Sequence, residues 1–160
     1  MHRPAALAWI TLLGVAAFSA DLAAQEGPPA RNRTYVEVLG TGIVYSLNYE
    51  RDVADALSVR VGTGGLWVEG VTYLVGLSGV TWRLGTQRHA ALVGVNVALI
   101  WLQDVWVISE DQQVEGYAGL TLGYRFQPSR RGFFLQAAFT PIASDHGFAP
   151  WGGLGLGWAF

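Results

Sequence analysis

Beyond residue 33 the chain alternates. Between Ile43 and Glu50, the side chains of Ile43, Tyr45, Leu47 and Tyr49 share one face, and those of Val44, Ser46, Asn48 and Glu50 share the other. That is the two-residue period of a β-strand. The same rhythm returns in Leu57, Val59 and Val61 against Ser58, Arg60 and Gly62, and in Val93, Val95, Val97 and Leu99 against Gly94, Asn96 and Ala98. It returns again in Leu120, Leu122, Tyr124 and Phe126 against Gly119, Thr121, Gly123 and Arg125. It is cleanest where Leu154, Leu156, Trp158 and Phe160 oppose Gly153, Gly155, Gly157 and Ala159. The longest apolar run, Ala90 to Leu102 with Asn96 inside it, is too short for a spanning helix.

The content of the second face separates two architectures. A soluble β-barrel or sandwich keeps bulky apolar residues inside and shows polar ones to water. Here the second face is mostly Gly, Ala, Ser and Thr with single Arg or Glu residues, a poor solvated exterior. Turned inside out, the pattern fits: the bulky face meets lipid and the small, polar face fills a narrow lumen, as in transmembrane barrels. Aromatic residues stand near the ends of most segments, among them Tyr49, Trp67, Trp82, Trp101, Tyr124, Phe126, Phe133 and Trp158, where two interfacial girdles would need them.

The connections come in two kinds. Asp52–Asp55, Gly85–His89 and Pro128–Gly132 are short, polar and rich in turn formers, whereas Gly64–Gly70, Gln103–Gln113 and Ser144–Pro150 are longer or irregular. Short periplasmic turns alternating with longer external loops set the orientation, with Phe160 on the periplasmic side. The first segment, Thr34 to Arg51, is about twice a tilted spanning strand, and its phase breaks. Continued backward from Ile43, the lipid face would include Glu37, a costly place for a carboxylate. A reversal at Gly40-Thr41-Gly42 moves Glu37 inward, puts Val36 and Val38 outward and brings the strand count to eight. A bulge there would repair the phase without changing the count. The fold class is therefore all-β: an antiparallel up-and-down transmembrane β-barrel of eight strands.

Composition narrows the function. Of 160 residues 51% are hydrophobic and only 14% charged, which excludes a disordered chain. The ten basic residues are all Arg against twelve acids, so the net charge of -2 offers no field for nucleic acid. The absence of Cys excludes disulfides, thiolate metal sites and a Cys nucleophile. At the start, His2 and Arg3, the apolar stretch Ala5–Ala20 and Leu22-Ala23-Ala24 read as a secretory signal peptide over residues 1–24, cleaved before Gln25. Residues 25–33, with Pro28 and Pro29, read as a flexible leader, and residues 34–160 as the barrel domain.

The stretches Gly42–Arg51, Gly123–Pro128 and Trp151–Phe160 resemble those of a family of small bacterial outer-membrane β-barrel proteins. The resemblance implies the fold and the outer-membrane location, with membrane lipid and the barrel-assembly machinery as partners. Gly155, Trp158 and Phe160 are similar to the C-terminal signal that this machinery reads, although Gly153 stands where that signal usually begins with a polar residue.

Catalytic candidates are weak. Ser144, Asp145 and His146 carry the residue types of a hydrolase triad, but adjacent residues point apart and a triad is a spatial arrangement. His89 sits in a turn beside Arg88. Asp104, Glu110 and Asp111 read as a solvated loop, and two histidines beyond the signal peptide make a transition-metal site improbable. The glycine-rich stretches lack the Lys of a phosphate loop. No cofactor is implied, and no feature identifies a partner for the external loops. One constellation stands out: Glu37, Asn48, Glu50, Arg60, Glu115 and Arg125 all fall on the inner face. Charges in a narrow lumen must pair, so Glu and Arg are expected to meet across strands in an interior network, with Arg60 and Arg125 neutralising the carboxylates and Arg60 with Glu50 as the pair to test. Three functions stay open: a non-enzymatic barrel that anchors external loops, a narrow channel or lipid-handling barrel, and a secreted lipocalin-like binder.

Overall fold

The structure is a computed structural model and describes residues 28–68, 71–104, 113–128, 130–144 and 147–160. The signal peptide expected over residues 1–24 lies outside them. Ten strand segments follow in chain order: β1 (Asn32–Leu39), β2 (Tyr45–Asp52), β3 (Leu57–Val68), β4 (Val71–Gly85), β5 (His89–Asp104), β6 (Gln113–Phe126), β7 (Gly132–Phe139), β8 (Ile142–Ser144), β9 (Gly147–Ala149) and β10 (Gly152–Ala159). Each strand from β1 to β6 pairs antiparallel with the next, β6 pairs with β7, and β7 with β10. The ring closes where β10 pairs with β1, from Arg33↔Ala159 to Leu39↔Gly153. Closure removes the open edge whose unpaired backbone groups would be costly in lipid.

Ten segments make eight barrel strands. β8 continues β7 beyond Thr140-Pro141 and takes over the pairing with β6 at Ala118↔Ala143 and Gly119↔Ile142. β9 precedes β10 in the same way across Pro150-Trp151. A proline at each break cannot donate to a ladder, so the pairing is interrupted there.

The expected reversal at Gly40–Gly42 is present as a single 3-10 turn between β1 and β2. Glu37 is buried, and Val36 and Val38 face outward. The turn folds into the barrel mouth. Leu39, Gly40 and Ile43 have φ of 61°, 70° and 69°, a left-handed backbone that bends the chain off the strand path. Ile43 was expected on the lipid face; its backbone rotates it inward instead, against the buried cluster of Val75, Leu77, Ala98 and Tyr117.

Three other boundaries differ from expectation. Gly64 to Val68 are strand rather than loop: β3 runs to Val68 and β4 starts at Val71, because Gly64 and Gly65 stay in the ladder opposite Val75 and Leu74. β1 opens at Asn32, so Arg33, assigned above to the leader, is a strand residue paired with both Ala159 and Glu50. Of the irregular stretch Ser144–Pro150, residues Gly147–Ala149 form β9 and pair with β8.

The barrel is apolar outside and polar inside. On β5 the outward residues Val93, Val95, Val97 and Leu99 are 41–57% exposed, while Asn96 between them is 2% exposed. The largest fully buried side chains include Arg33, Glu37, Glu50 and Asn48, the inverse of a soluble core. An arginine placed near the middle of the outward column tests this directly. Val95→Arg should lose about 2–4 kcal/mol in lipid vesicles, measured by denaturant unfolding, as expected for a cation near the bilayer midplane. Stability equal to that of the unsubstituted chain would contradict the outward assignment.

Candidate functional site

The inward parity of each strand delivers polar side chains to the lumen at successive levels. At the end where β1 starts and β10 finishes, Arg33 donates to both carboxylate oxygens of Asp52, at 2.6 and 3.1 Å. Arg83 donates to Asp52 Oδ2 at 2.8 Å and to the carbonyl of Asp55 at 2.9 Å. Arg33 also reaches Glu50 at 3.3 Å and Gln127 at 3.4 Å.

The next level is an arginine fork. Arg125 donates Nη1 to Glu50 Oε1 at 2.7 Å and Nη2 to Oε2 at 2.6 Å, the parallel bidentate geometry in which charged hydrogen bonds are strongest. Its Nε and Nη2 also donate to Gln136 Oε1, at 3.1 and 2.7 Å. The guanidinium lies 4.9 Å from the centre of the Phe134 ring, and Tyr35 meets that ring edge-on at 5.6 Å.

Above it, Arg60 gathers four groups. Nη1 donates to the Tyr35 hydroxyl at 3.0 Å and to Glu37 Oε2 at 3.5 Å, and Nη2 donates to Thr41 Oγ1 at 2.8 Å and Asn96 Oδ1 at 2.6 Å. Asn96 passes the chain on to Thr121 at 2.6 Å, and Asn48 donates to Ser46 Oγ at 2.9 Å. The inward turn caps the stack. The Tyr117 hydroxyl donates to the carbonyl of Thr41, and the Tyr73 hydroxyl donates to that of Gly42 at 3.2 Å.

Glycines make the room. A Cβ on Gly155 would stand 2.6 Å from Gln136 Cγ, and Cβ atoms on Gly62 and Gly79 would collide with the Asn48 and Asn96 amides. The alternation of glycine with long polar side chains is thus one packing solution for a narrow interior.

Of the residues singled out by sequence, Glu37, Asn48, Glu50, Arg60 and Arg125 come together in this interior. Glu115 does not join them: it sits near the far end of β6, partly exposed, with no ion pair among the described residues. The expected Glu50–Arg60 partnership is also replaced. The two are register neighbours, yet Arg60 bonds Glu37 and Glu50 bonds Arg125 and Arg33. Side chains that stand parallel on adjacent strands point the same way into the lumen, and their charged ends meet groups arriving from other strands.

Sequence reasoning missed Arg33, Asp52, Arg83 and Gln136. The signal was parity: Arg33 shares the face of Tyr35 and Glu37, Asp52 that of Glu50, and Arg83 that of Thr81. Gly155 points inward, whereas Trp158 and Phe160 point outward, 44% and 47% exposed. Ser144 is exposed at the end of β8, and Asp145 and His146 lie outside the described residues. His89 Nδ1 is hydrogen-bonded to the Tyr124 hydroxyl. Among the described residues no group of His, Asp and Glu converges as a metal site.

Comparison with solved structures follows this geometry. The N-terminal β-barrel domain of Pseudomonas aeruginosa OprF superposes with a TM-score of 0.65 at 16% identity, covering 82% of this chain and 96% of that one. The chain has the fold of an eight-stranded outer-membrane β-barrel. Ail, the attachment invasion locus protein of Yersinia pestis, aligns with a TM-score of 0.46 at 15% identity over 85% of this chain and 100% of its own. Ail in complex with the heparin analogue sucrose octasulfate gives 0.44 at 14% identity, over 82% and 97%. No protein-family model matches the chain, and no curated protein matches it in sequence.

The barrel's ion pairs can be separated by a double-mutant cycle. Arg125→Met should cost about 3–5 kcal/mol, because it strips Glu50 of its bidentate partner in a buried site. Adding Glu50→Gln should recover part of that loss. The same cycle on Arg60 and Glu50 should show a smaller coupling energy, since those side chains share no direct bond. Equal coupling in both cycles, read by urea unfolding in vesicles, would contradict the observed pairing.

Proposed function

We propose that the protein is a closed, non-enzymatic anchor of the bacterial outer membrane, whose barrel holds external loops in place and transports nothing. One observation carries this reading: packed side chains cross the lumen at successive levels, from Arg33–Asp52 through Arg125–Glu50 and Arg60–Glu37 to the inward turn at Thr41. A conduit needs a continuous hydrated path, and bidentate arginine pairs with a tyrosine-capped turn occupy it. One groove lies on the outer face between lipid-facing ridges, lined by Val97, Leu99, Gly116, Ala118 and Ala143.

The outer-membrane assignment is supported by the fold shared with the OprF barrel domain and by the exposed apolar columns. In the same reading the barrel-assembly machinery recognises the last strand through Trp158 and Phe160, with Gly155 leaving their inner side flat. Loop partners are expected at the end opposite β1's start, where residues 105–112 connect β5 to β6.

Conductance tests the anchor reading. Purified, folded protein in planar bilayers should show no stable conducting state, and reproducible single-channel steps would overturn it in favour of a narrow channel. Deleting Phe160 tests the assembly reading. The deletion should lower the heat-modifiable species in the outer-membrane fraction much more than it lowers refolding of purified chain in detergent. Unchanged outer-membrane levels would remove that role.

A further inference from the structure

All the positive charge that the described residues show on the surface lies at one end of the barrel. Arg31, Arg51, Arg88, Arg130 and Arg131 are exposed, at the start of β1, the end of β2, the turn between β4 and β5 and the turn between β6 and β7. The remaining arginines of the described chain, Arg33, Arg60, Arg83 and Arg125, are inside and in ion pairs. The sequence contains no Lys. In sequence, the segments 69–70, 105–112 and 145–146 between the strands contain Glu69, Glu110, Asp111 and Asp145 and no arginine.

At the arginine end little opposes the charge. Asp52 is already bonded to Arg33 and Arg83, which leaves Asp55 as the exposed side-chain carboxylate among the described residues there. Arg31, Arg51, Arg88 and Arg130 make no ion pair among the described residues. Their position relative to the apolar belt is specific. Arg51 follows Leu47 and Tyr49 in the same outward column of β2. The Arg88 guanidinium lies 5.7 Å from the centre of the Phe126 ring, next to the hydrogen-bonded pair of His89 and Tyr124. The rim therefore combines an apolar column, an aromatic ring and an uncompensated guanidinium. That is the profile of a lipid's acyl chain, interface and phosphate.

We propose that this arginine rim binds the phosphodiester headgroups of anionic phospholipid in the leaflet at the end of the barrel where β1 starts. A guanidinium presents paired N–H donors that match phosphate oxygens, and a cation at the membrane surface is drawn to anionic headgroups. A freely dissolved phosphate would use only the charge, whereas a lipid also uses the Tyr49 and Phe126 rings and the columns beyond them. The inference rests on the membrane-barrel reading and adds its lipid selectivity.

The test uses folded protein in neutral detergent micelles and native mass spectrometry, with phosphatidylglycerol or phosphatidylcholine added at equal amounts. Foldedness is monitored in every sample by heat-modifiability, so loss of the barrel is distinguished from loss of lipid selectivity. The unsubstituted protein should retain phosphatidylglycerol in preference to phosphatidylcholine. Each neutralised arginine in contact with the headgroup should lower that retention about fivefold, the factor equivalent to about 1 kcal/mol. The triple variant Arg51→Gln, Arg88→Gln and Arg130→Gln should remain heat-modifiable and retain the two lipids equally. Equal retention by the unsubstituted protein would overturn the proposal, as would a triple variant that keeps the preference. Displacement of bound phosphatidylglycerol by inorganic phosphate at matched concentration would also overturn it, by showing a site for a free anion.

Discussion

A β-sheet in hydrocarbon has no water to satisfy an open edge, and from the pairing of β10 with β1 the rest of this structure follows. Closing the ring with eight strands fixes a small circumference. A small circumference leaves an interior just wide enough for side chains to fill. The inner face must then combine residues with almost no volume and residues long enough to reach across, which is why Gly62, Gly79 and Gly155 stand against Asn48, Asn96 and Gln136. The outer face obeys a simpler demand, to be apolar along the span and aromatic near its ends.

Filling the interior with charge is the less obvious outcome. Isolated buried ions cost several kcal/mol each after relaxation, and that cost is offset only where geometry is good and further hydrogen bonds are made. Arg125 meets both conditions with a bidentate carboxylate, a glutamine acceptor and an aromatic face. Arg60 does so differently, through one distant carboxylate and three neutral oxygens. Its bond to Thr41 also ties the inward turn to the barrel wall. The left-handed conformations of Leu39 and Ile43 are strained for residues with side chains, and the contacts of Arg60, Tyr73 and Tyr117 hold them in place. The same network thus stiffens the wall and closes the mouth.

Much of the fold was legible because strand parity is a local property of the chain. The inward placement of Glu37 and the reversal at Gly40–Gly42 both came from the cost of a carboxylate in lipid. What escaped was tertiary. Arg33 reads as leader because it closes a stretch holding two prolines and three charges, itself included, and only its pairing with β2 and β10 makes it a strand residue. The connection expected from Gly64 starts only after Val68, because inside a closed ladder a glycine is a spacer. Ile43 left its face because a positive φ breaks the alternation that sequence reading extrapolates. The expected pairing of Glu50 with Arg60 gives way for a related reason, although Arg60 and Arg125 both pair with interior carboxylates: register names the neighbour on the sheet, while a long side chain bonds whatever arrives across the lumen.

The central claim is that the exterior and interior of this barrel are inverted relative to a soluble one, and it can be measured residue by residue. The chain has no Cys, so single cysteines introduced from Ala91 to Ala98 on β5 can each carry one nitroxide label. In lipid vesicles, collision with oxygen, which concentrates in hydrocarbon, should peak at Ala91, Val93, Val95 and Val97. It should fall at Leu92, Gly94, Asn96 and Ala98. Peaks at the even positions, or no two-residue period at all, would contradict the account.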